Sequence, residues 1–278
     1  SAASDVYKRQ KMDGGSKRKL SKRKDPELAL DFYNAEGYPV PSVLEYLMTL
    51  LNSNFEDWRL ANPTAPMGDF QFTTKKMGNS GSLFDIDKLK DVSKNTISVM
   101  SADQVYDEVT AWAKDFDPQL YTLLTADEQK AKAILAIGRG GAKPRKDIAI
   151  WSEVKDYVAF FYEELFTAAS EYPENVSTQD ALDILTQYRS LYSPADDGET
   201  WFNKVRELGE SLGFAAKPKD YKKNPDQYKG HVGDVSQVIR LAITGRTNSP
   251  DLCSVMQILG EEVCQQRLAQ AIELLSNR

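Results

Sequence analysis

The sequence predicts a mainly helical fold, and three features carry that prediction. Apolar residues recur three and four apart, as in Val43, Leu44, Leu47, Leu50 and Leu51. Helix-start signatures repeat, with Ser101 three residues before Gln104 and Thr125 three before Glu128. Pro and Gly punctuate the spaces between such stretches, whereas a strand pattern is confined to the short Phe70-Gln71-Phe72 segment.

Taken in order, Asp25 is placed to cap a helix with Pro26 at its first position, and Gly37 to end it. Pro41 opens the next, and the two read as amphipathic. Residues 62–69, with two prolines and a glycine, break the pattern ahead of the strand candidate and the turn Gly78-Asn79-Ser80-Gly81. Leu83 to Leu89 restarts a helix capped by Asp85. The two capping boxes then give helices over 102–116 and 126–137, the second ended by Gly138. Further helices are expected over 152–167, 178–192 and 199–212. Lys217 to Pro225 is too polar and proline-broken for a core element and reads as a linker. A last trio covers 233–244, 250–259 opened by Ser249-Pro250, and 261–275 after Gly260. Aromatic residues such as Tyr157, Phe160, Phe161 and Tyr162 read as core rather than as a stacking platform, and His231 reads as an exposed loop residue.

Composition narrows the function classes. With 278 residues, 41% apolar and 27% charged, the chain can bury a core as one large or two to three small domains. The net charge is −6, but residues 1–24 hold nine Lys/Arg against two Asp/Glu, so the rest carries 26 basic and 39 acidic residues. Any polyanion must therefore meet local basic patches. Cys253 and Cys264 suit free thiols better than a disulfide framework, and with His231 as the lone histidine neither a zinc site nor a His-dependent triad has enough members. No stretch of 18 apolar residues suggests a membrane span, and Ser1 to Gln10 lacks the apolar centre of a signal peptide.

Three constellations can carry chemistry. The run Lys17-Arg18-Lys19-Leu20-Ser21-Lys22-Arg23-Lys24 follows Gly14-Gly15, so clustered ammonium groups sit on a segment with glycine freedom. By itself it reads as a solvated basic tail, a nucleic-acid patch or a loop that stabilises charge on a departing pyrophosphate. The second is Gly138-Arg139-Gly140-Gly141-Ala142-Lys143-Pro144-Arg145-Lys146, which lacks the Gly-Lys-Ser/Thr order of a P-loop but offers arginine forks between two helices. The third is Ile239 to Leu252, where Gly245 ends a helix, Ser249 is placed to cap the next and Arg246 adds a fork. Solvated helix connections and ordinary packing remain open for both.

Lys19-Leu20-Ser21-Lys22-Arg23 resembles the lysine-rich signature loop of class I aminoacyl-tRNA synthetases, and the text from Asp25 through Gly37-Tyr38-Pro39 to Asn54 is similar to bacterial glutamyl-tRNA synthetases. That resemblance runs over about residues 11–275 and is strongest at both ends. It implies a C-terminal portion of such an enzyme, with a mixed α/β stem-contact region followed by an all-helical anticodon-binding bundle. The divisions it suggests are a non-native leader over 1–10, the signature loop and end of a catalytic domain over 11–25, stem contact over 26–100, and two anticodon-binding subdomains over 101–195 and 196–278. It implies ATP contacts at Lys19, Ser21, Lys22 and Arg23, with Mg2+ accompanying ATP, and anticodon contacts at Arg145, Arg246, Ser249 and Pro250. The implied partners are glutamate, ATP and tRNA(Glu), with tRNA(Gln) open, in the cytoplasm, without membrane or DNA. No nucleotide-binding domain with its histidine-containing signature is present, so this chain is expected not to aminoacylate by itself. Two alternatives stand beside this reading: a glutaminyl-tRNA synthetase, which typically has β-barrel anticodon domains, and a noncatalytic helical RNA-binding or adaptor module.

Overall fold

The computed structural model describes residues 10–13, 16–19, 21, 23–77 and 83–277. Lys22, Gly14-Gly15, the 78–81 turn and most of the 1–10 leader lie outside the described residues. The chain divides into two units, 1–157 and 158–278.

The first unit begins with an antiparallel pair, β1 (Gln10–Asp13) and β2 (Ser16–Lys19), registered Gln10 to Lys19. Strand β3 (Leu83–Phe84) joins β1 in parallel, giving the order β2-β1-β3. The sequence placed Leu83 and Phe84 in a helix; they pair as strand, and the helix starts after Asp85, which accepts from the Asp87 and Lys88 amides as expected of a cap. Phe70-Gln71-Phe72 forms no strand, because Phe70 is drawn under Phe55 and Trp58 instead, with ring centroids 5.0 and 5.3 Å apart.

A short 3-10 turn over Pro26–Leu28 leads to α1 (Leu30–Glu36), α2 (Val40–Leu51) and α3 (Phe55–Ala61), then α4 (Ile86–Ser98). Gly37 ends α1 in the left-handed region at φ 81°, where its carbonyl accepts the Trp151 amide at 2.9 Å. A Cβ there would lie 2.7 Å from that of Trp151, so glycine is required twice over. Tyr38, Tyr46, Leu89 and Ile150 form the core between α2 and α4, and the Tyr46 hydroxyl accepts the Asp85 amide at 2.7 Å. A fully buried aliphatic side chain such as Leu89 contributes about 2 kcal/mol over leaving it exposed.

Helices α5 (Ala102–Phe116), α6 (Pro118–Ala126) and α7 (Glu128–Ala136) complete the unit. The Ser101–Gln104 capping box forms in both directions. The Thr125–Glu128 box does not form: Asp127 caps α7, and Thr125 belongs to a separate helix that Asp117 caps with Pro118 at its first position. The expected helix over 152–167 is also broken, into a 3-10 turn (Trp151–Glu153), α8 (Val154–Val158) and a second 3-10 turn (Ala159–Phe161). Trp151, Val154, Val158, Phe160, Phe161 and Tyr162 are all buried, which a regular one-sided helix cannot achieve.

The second unit packs α9 (Thr178–Leu191), α10 (Gly198–Ser211), α12 (Val232–Thr244), α13 (Leu252–Leu259) and α14 (Glu261–Ser276), with the short α11 (Pro218–Lys223) outside the core. Ile184, Leu185, Val205, Val235, Val238, Ile239 and Leu268 are fully buried. The buried Tyr188 hydroxyl accepts from Trp201 Nε1 at 2.8 Å, so this polar tip is satisfied inside the bundle. The expected linker over 217–225 therefore holds a helix, though one without buried residues. His231 is not an idle loop residue: its Nδ1 accepts the Gly233 amide at 2.9 Å at the start of α12.

Candidate nucleic-acid interface

The segment 138–147 connects α7 to the 3-10 turn at Trp151, and its conformation is set by glycine. Gly138 lies at φ 73°, and a Cβ on it would come within 2.6 Å of the Arg145 side chain, so Arg145 folds back across the glycine. The Arg145 amide closes this loop onto the Gly138 carbonyl at 3.0 Å. Its guanidinium then grips Asp147 in a fork, Nε to Oδ2 at 2.6 Å and Nη2 to Oδ1 at 2.9 Å, and this pairing raises its pKa. Arg139 is used differently. It donates to the Leu135 and Ile97 carbonyls, both at 2.6 Å, and burial lowers its pKa. Between the two arginines lies a cleft walled by Ile97, Ile137, Ile148 and Tyr157. Burial, reinforced by Asp147, pushes the Tyr157 phenol up to about 12.

The corner at 244–251 is built from the end of α12. Gly245 turns left-handed at φ 70°, and a Cβ there would collide with the Thr167 carbonyl. Thr244 Oγ1 accepts the Arg246 amide at 3.2 Å, and Gln237 Nε2 donates to the Thr247 carbonyl at 2.9 Å. Arg240, one face of α12 earlier, donates to Ser249 Oγ and to the Pro250 carbonyl at 3.2 Å. The next helix is not capped by Ser249. Asp251 takes that role, accepting the Ser254 amide at 2.8 Å, because Ser249 is engaged by Arg240. Ser249 and Pro250 are buried, Arg246 is half-buried with its guanidinium 6.0 Å from the Phe160 ring centroid, and Thr247 and Asn248 form the exposed tip.

Behind this corner stands Arg267 of α14, 2% exposed. Its Nη1 donates to the Phe160 and Ile243 carbonyls at 2.7 and 2.8 Å, its Nη2 meets Glu163, and its guanidinium lies 3.6 Å from the Phe166 ring centroid. Sequence reading missed Arg267 and Asp251. A lone arginine on an otherwise apolar helix face was the available signal for the first, and an Asp three residues before Ser254 for the second.

Of the basic run, Lys19 ends β2 and is exposed, Arg23 is exposed, and Lys22 lies outside the described residues. The Ser21 amide donates to the buried Asp25 carboxylate at 2.6 Å, so that backbone donor is committed. Among the described residues no three His, Cys, Asp or Glu side chains gather as a metal site, and no helix is long and apolar enough to cross a membrane.

These corners lie within a recognisable sequence pattern. The family described as "Anticodon binding domain" matches residues 104–272. The glutamate–tRNA ligase of Acetivibrio thermocellus is 48% identical over 262 residues, 94% of this chain and 48% of the relative. That of Clostridium beijerinckii is 46% identical over 269 residues, 95% of this chain and 49% of the relative. The chain thus spans about half the length of the curated relatives it matches, and it corresponds to their C-terminal portion. The crystal structure of a glutamate tRNA ligase from Elizabethkingia meningosepticum has the same fold with a TM-score of 0.63 at 18% identity, covering 95% of this chain and 50% of that one. With 169 of its 278 residues inside that pattern, this chain belongs to the anticodon-binding domain family and is homologous to the glutamate–tRNA ligases.

Proposed function

We propose that this chain is the tRNA-gripping portion of a glutamate–tRNA ligase, which joins glutamate to ATP and transfers it to tRNA(Glu), and that Arg145 and the Arg246 to Pro250 corner meet the anticodon. The observation that carries this reading is the pair of glycine-set arginine corners inside residues 104–272. The Arg145 fork is already laid out for bidentate contact, since the geometry that grips the Asp147 carboxylate also fits a base edge or a phosphate. At the second corner the half-buried Arg246 adjoins the exposed Thr247 and Asn248, and the buried Ser249 and Pro250 follow them in the turn. Lys19, Ser21, Lys22 and Arg23 are the ATP-phosphate contacts in this reading, and Mg2+ arrives with the triphosphate. The subdivision into stem contact over 26–100 and anticodon binding over 101–195 and 196–278 belongs to the same proposal, as does a cytoplasmic location. From Ser101 onward the described residues hold helices and a single isolated bridge, Ala215 with His231, which favours this reading over the β-barrel anticodon domains of glutaminyl-tRNA synthetases. By itself the chain is inactive in pyrophosphate exchange, because lysines that stabilise leaving charge do not position glutamate and ATP.

Filter binding to an RNA hairpin bearing the glutamate anticodon, against one with a scrambled loop, tests the reading. Arg145→Ala or Arg246→Ala is expected to cost roughly 1 to 3 kcal/mol, more on the cognate loop, if the fork reads a base. Unchanged affinity in both variants rejects the surface.

A further inference from the structure

Between α10 and α12 the chain leaves the second unit's core and returns to it, and this excursion plays no part in either arginine corner. Its foot is stapled by three backbone bonds: Ala215 N–H to the Gly230 carbonyl at 2.9 Å, Val232 N–H to Ala215 at 2.9 Å, and Lys229 N–H to Gly213 at 3.0 Å. Residues 216–229 contribute nothing buried. Within them α11 starts with Pro218 at its first position, and the Tyr221 ring meets His231 edge-on at 5.8 Å. Spacing on α11 then fixes where its charges point. Lys219, Lys222 and Lys223 are three and four apart and share one face, roughly opposite the face on which Tyr221 packs.

The charges on that face are not used by the fold. Lys217, Lys219, Lys222 and Lys223 are exposed, and none of their ammonium groups makes a hydrogen bond or ion pair among the described residues. Lys229, at the foot, shows the contrast by pairing with Asp180 at 2.5 Å. Four such lysines against Asp220 and Asp226 form a locally positive tip on a chain of net charge −6. Ammonium groups without a planar fork suit phosphates better than base edges. The position is also informative. Helix α12 runs from the excursion's foot to the Gly245 corner, and its 13 residues span roughly 20 Å. That separation is shorter than one turn of a nucleic-acid duplex, so a single stem can run from the corner to the excursion.

We propose that the α11 excursion clamps the stem phosphates of the same RNA whose loop is held at the Gly245–Pro250 corner. This rests on the anticodon-binding reading above. The contact is sequence-independent, and it extends RNA recognition from the loop to the duplex that carries it.

The test uses the whole chain and two labelled hairpins sharing the glutamate anticodon loop, one with a long stem and one cut back to a minimal stem. In the triple variant K219Q/K222Q/K223Q, affinity for the long-stemmed RNA falls at least about tenfold at low salt, and the slope of log affinity against log salt shrinks by about 2.7 for three lost duplex contacts. The short-stemmed RNA binds as before, scrambling the loop leaves the loss unchanged, and the thermal melt matches the parent because these exposed side chains carry no hydrogen bond or ion pair of the fold. Parent-like affinity and slope on the long stem overturn the clamp while leaving the anticodon reading standing. A parent chain that binds neither hairpin overturns both. A triple variant that loses affinity for polyglutamate but not for RNA also overturns the clamp and assigns the face to an acidic protein.

Discussion

The loop at 138–147 and the corner at 244–251 are both arginine-bearing turns set by left-handed glycines, yet they are held in opposite ways. In the loop, Arg145 is fastened to Asp147 by an ion pair at the surface. In the corner, Arg240 and Arg267 are fastened chiefly to carbonyls and a hydroxyl, with Glu163 meeting one outer nitrogen of Arg267, and Arg267 is buried. A solvent-accessible ion pair weakens with salt, and an incoming anion satisfies the same fork, so Arg145 can exchange Asp147 for another anion. A buried guanidinium bound to carbonyls has no such alternative. The contrast separates an arginine poised to change partners from arginines that hold a turn in one shape.

The largest effect is expected where that second kind of arginine is removed. Arg267→Ala orphans the Phe160 and Ile243 carbonyls, and each buried acceptor left unpaired costs about 1 to 3 kcal/mol. Urea denaturation should show the midpoint falling by the equivalent of about 3 kcal/mol or more, and a variant as stable as the parent removes Arg267 from the scaffold.

A smaller, paired effect separates the two turns by their glycines. Gly245 and Gly140 share nearly the same positive φ, 70° and 73°, but a Cβ on Gly245 strikes the Thr167 carbonyl whereas one on Gly140 meets nothing within 4 Å. The conformation alone costs an alanine about 1 to 2 kcal/mol, so Gly140→Ala should lose that much and Gly245→Ala clearly more. Equal losses in thermal melts of the two variants erase the distinction.

The smallest effect on stability belongs to Asp147→Asn, which releases Arg145 from its fork. Unfolding free energy should change by no more than about 1 kcal/mol, as for other surface ion pairs. Hairpin affinity should rise, because Arg145 no longer has to leave a carboxylate to reach RNA, and a fall in affinity assigns Asp147 to presenting the arginine rather than restraining it.

Much of the helical frame was legible because its punctuation is local. Ser101 and Gln104, Asp85, Gly37 and Gly245 act within a few residues of themselves, and each does in the fold what its type suggests. The misreadings share another cause, competition from distant contacts or from a nearer cap. Phe70 was taken from a strand by Phe55 and Trp58, and the 151–162 segment bends to bury side chains on every side. Asp127 and Asp251 outbid Thr125 and Ser249 as caps, since a carboxylate stood two residues closer to each helix. At the arginine corners the residue types were visible in the sequence. Their division into gripping and holding roles was not, because it depends on Asp147 in one case and on carbonyls far along the chain in the other.

The two cysteines give the molecule a practical property. Both thiols are buried and unpaired, and burial raises the pKa of each, that of Cys264 to about 11. At neutral pH almost no thiolate exists at either position, and no alkylating dye reaches them easily. The native sulfur chemistry is therefore silent, so a single cysteine introduced at the exposed Asn248 or at Lys222 can be labelled selectively with a fluorophore. Energy transfer from each of those two sites to a dye on the RNA would then report how far along the duplex the protein reaches.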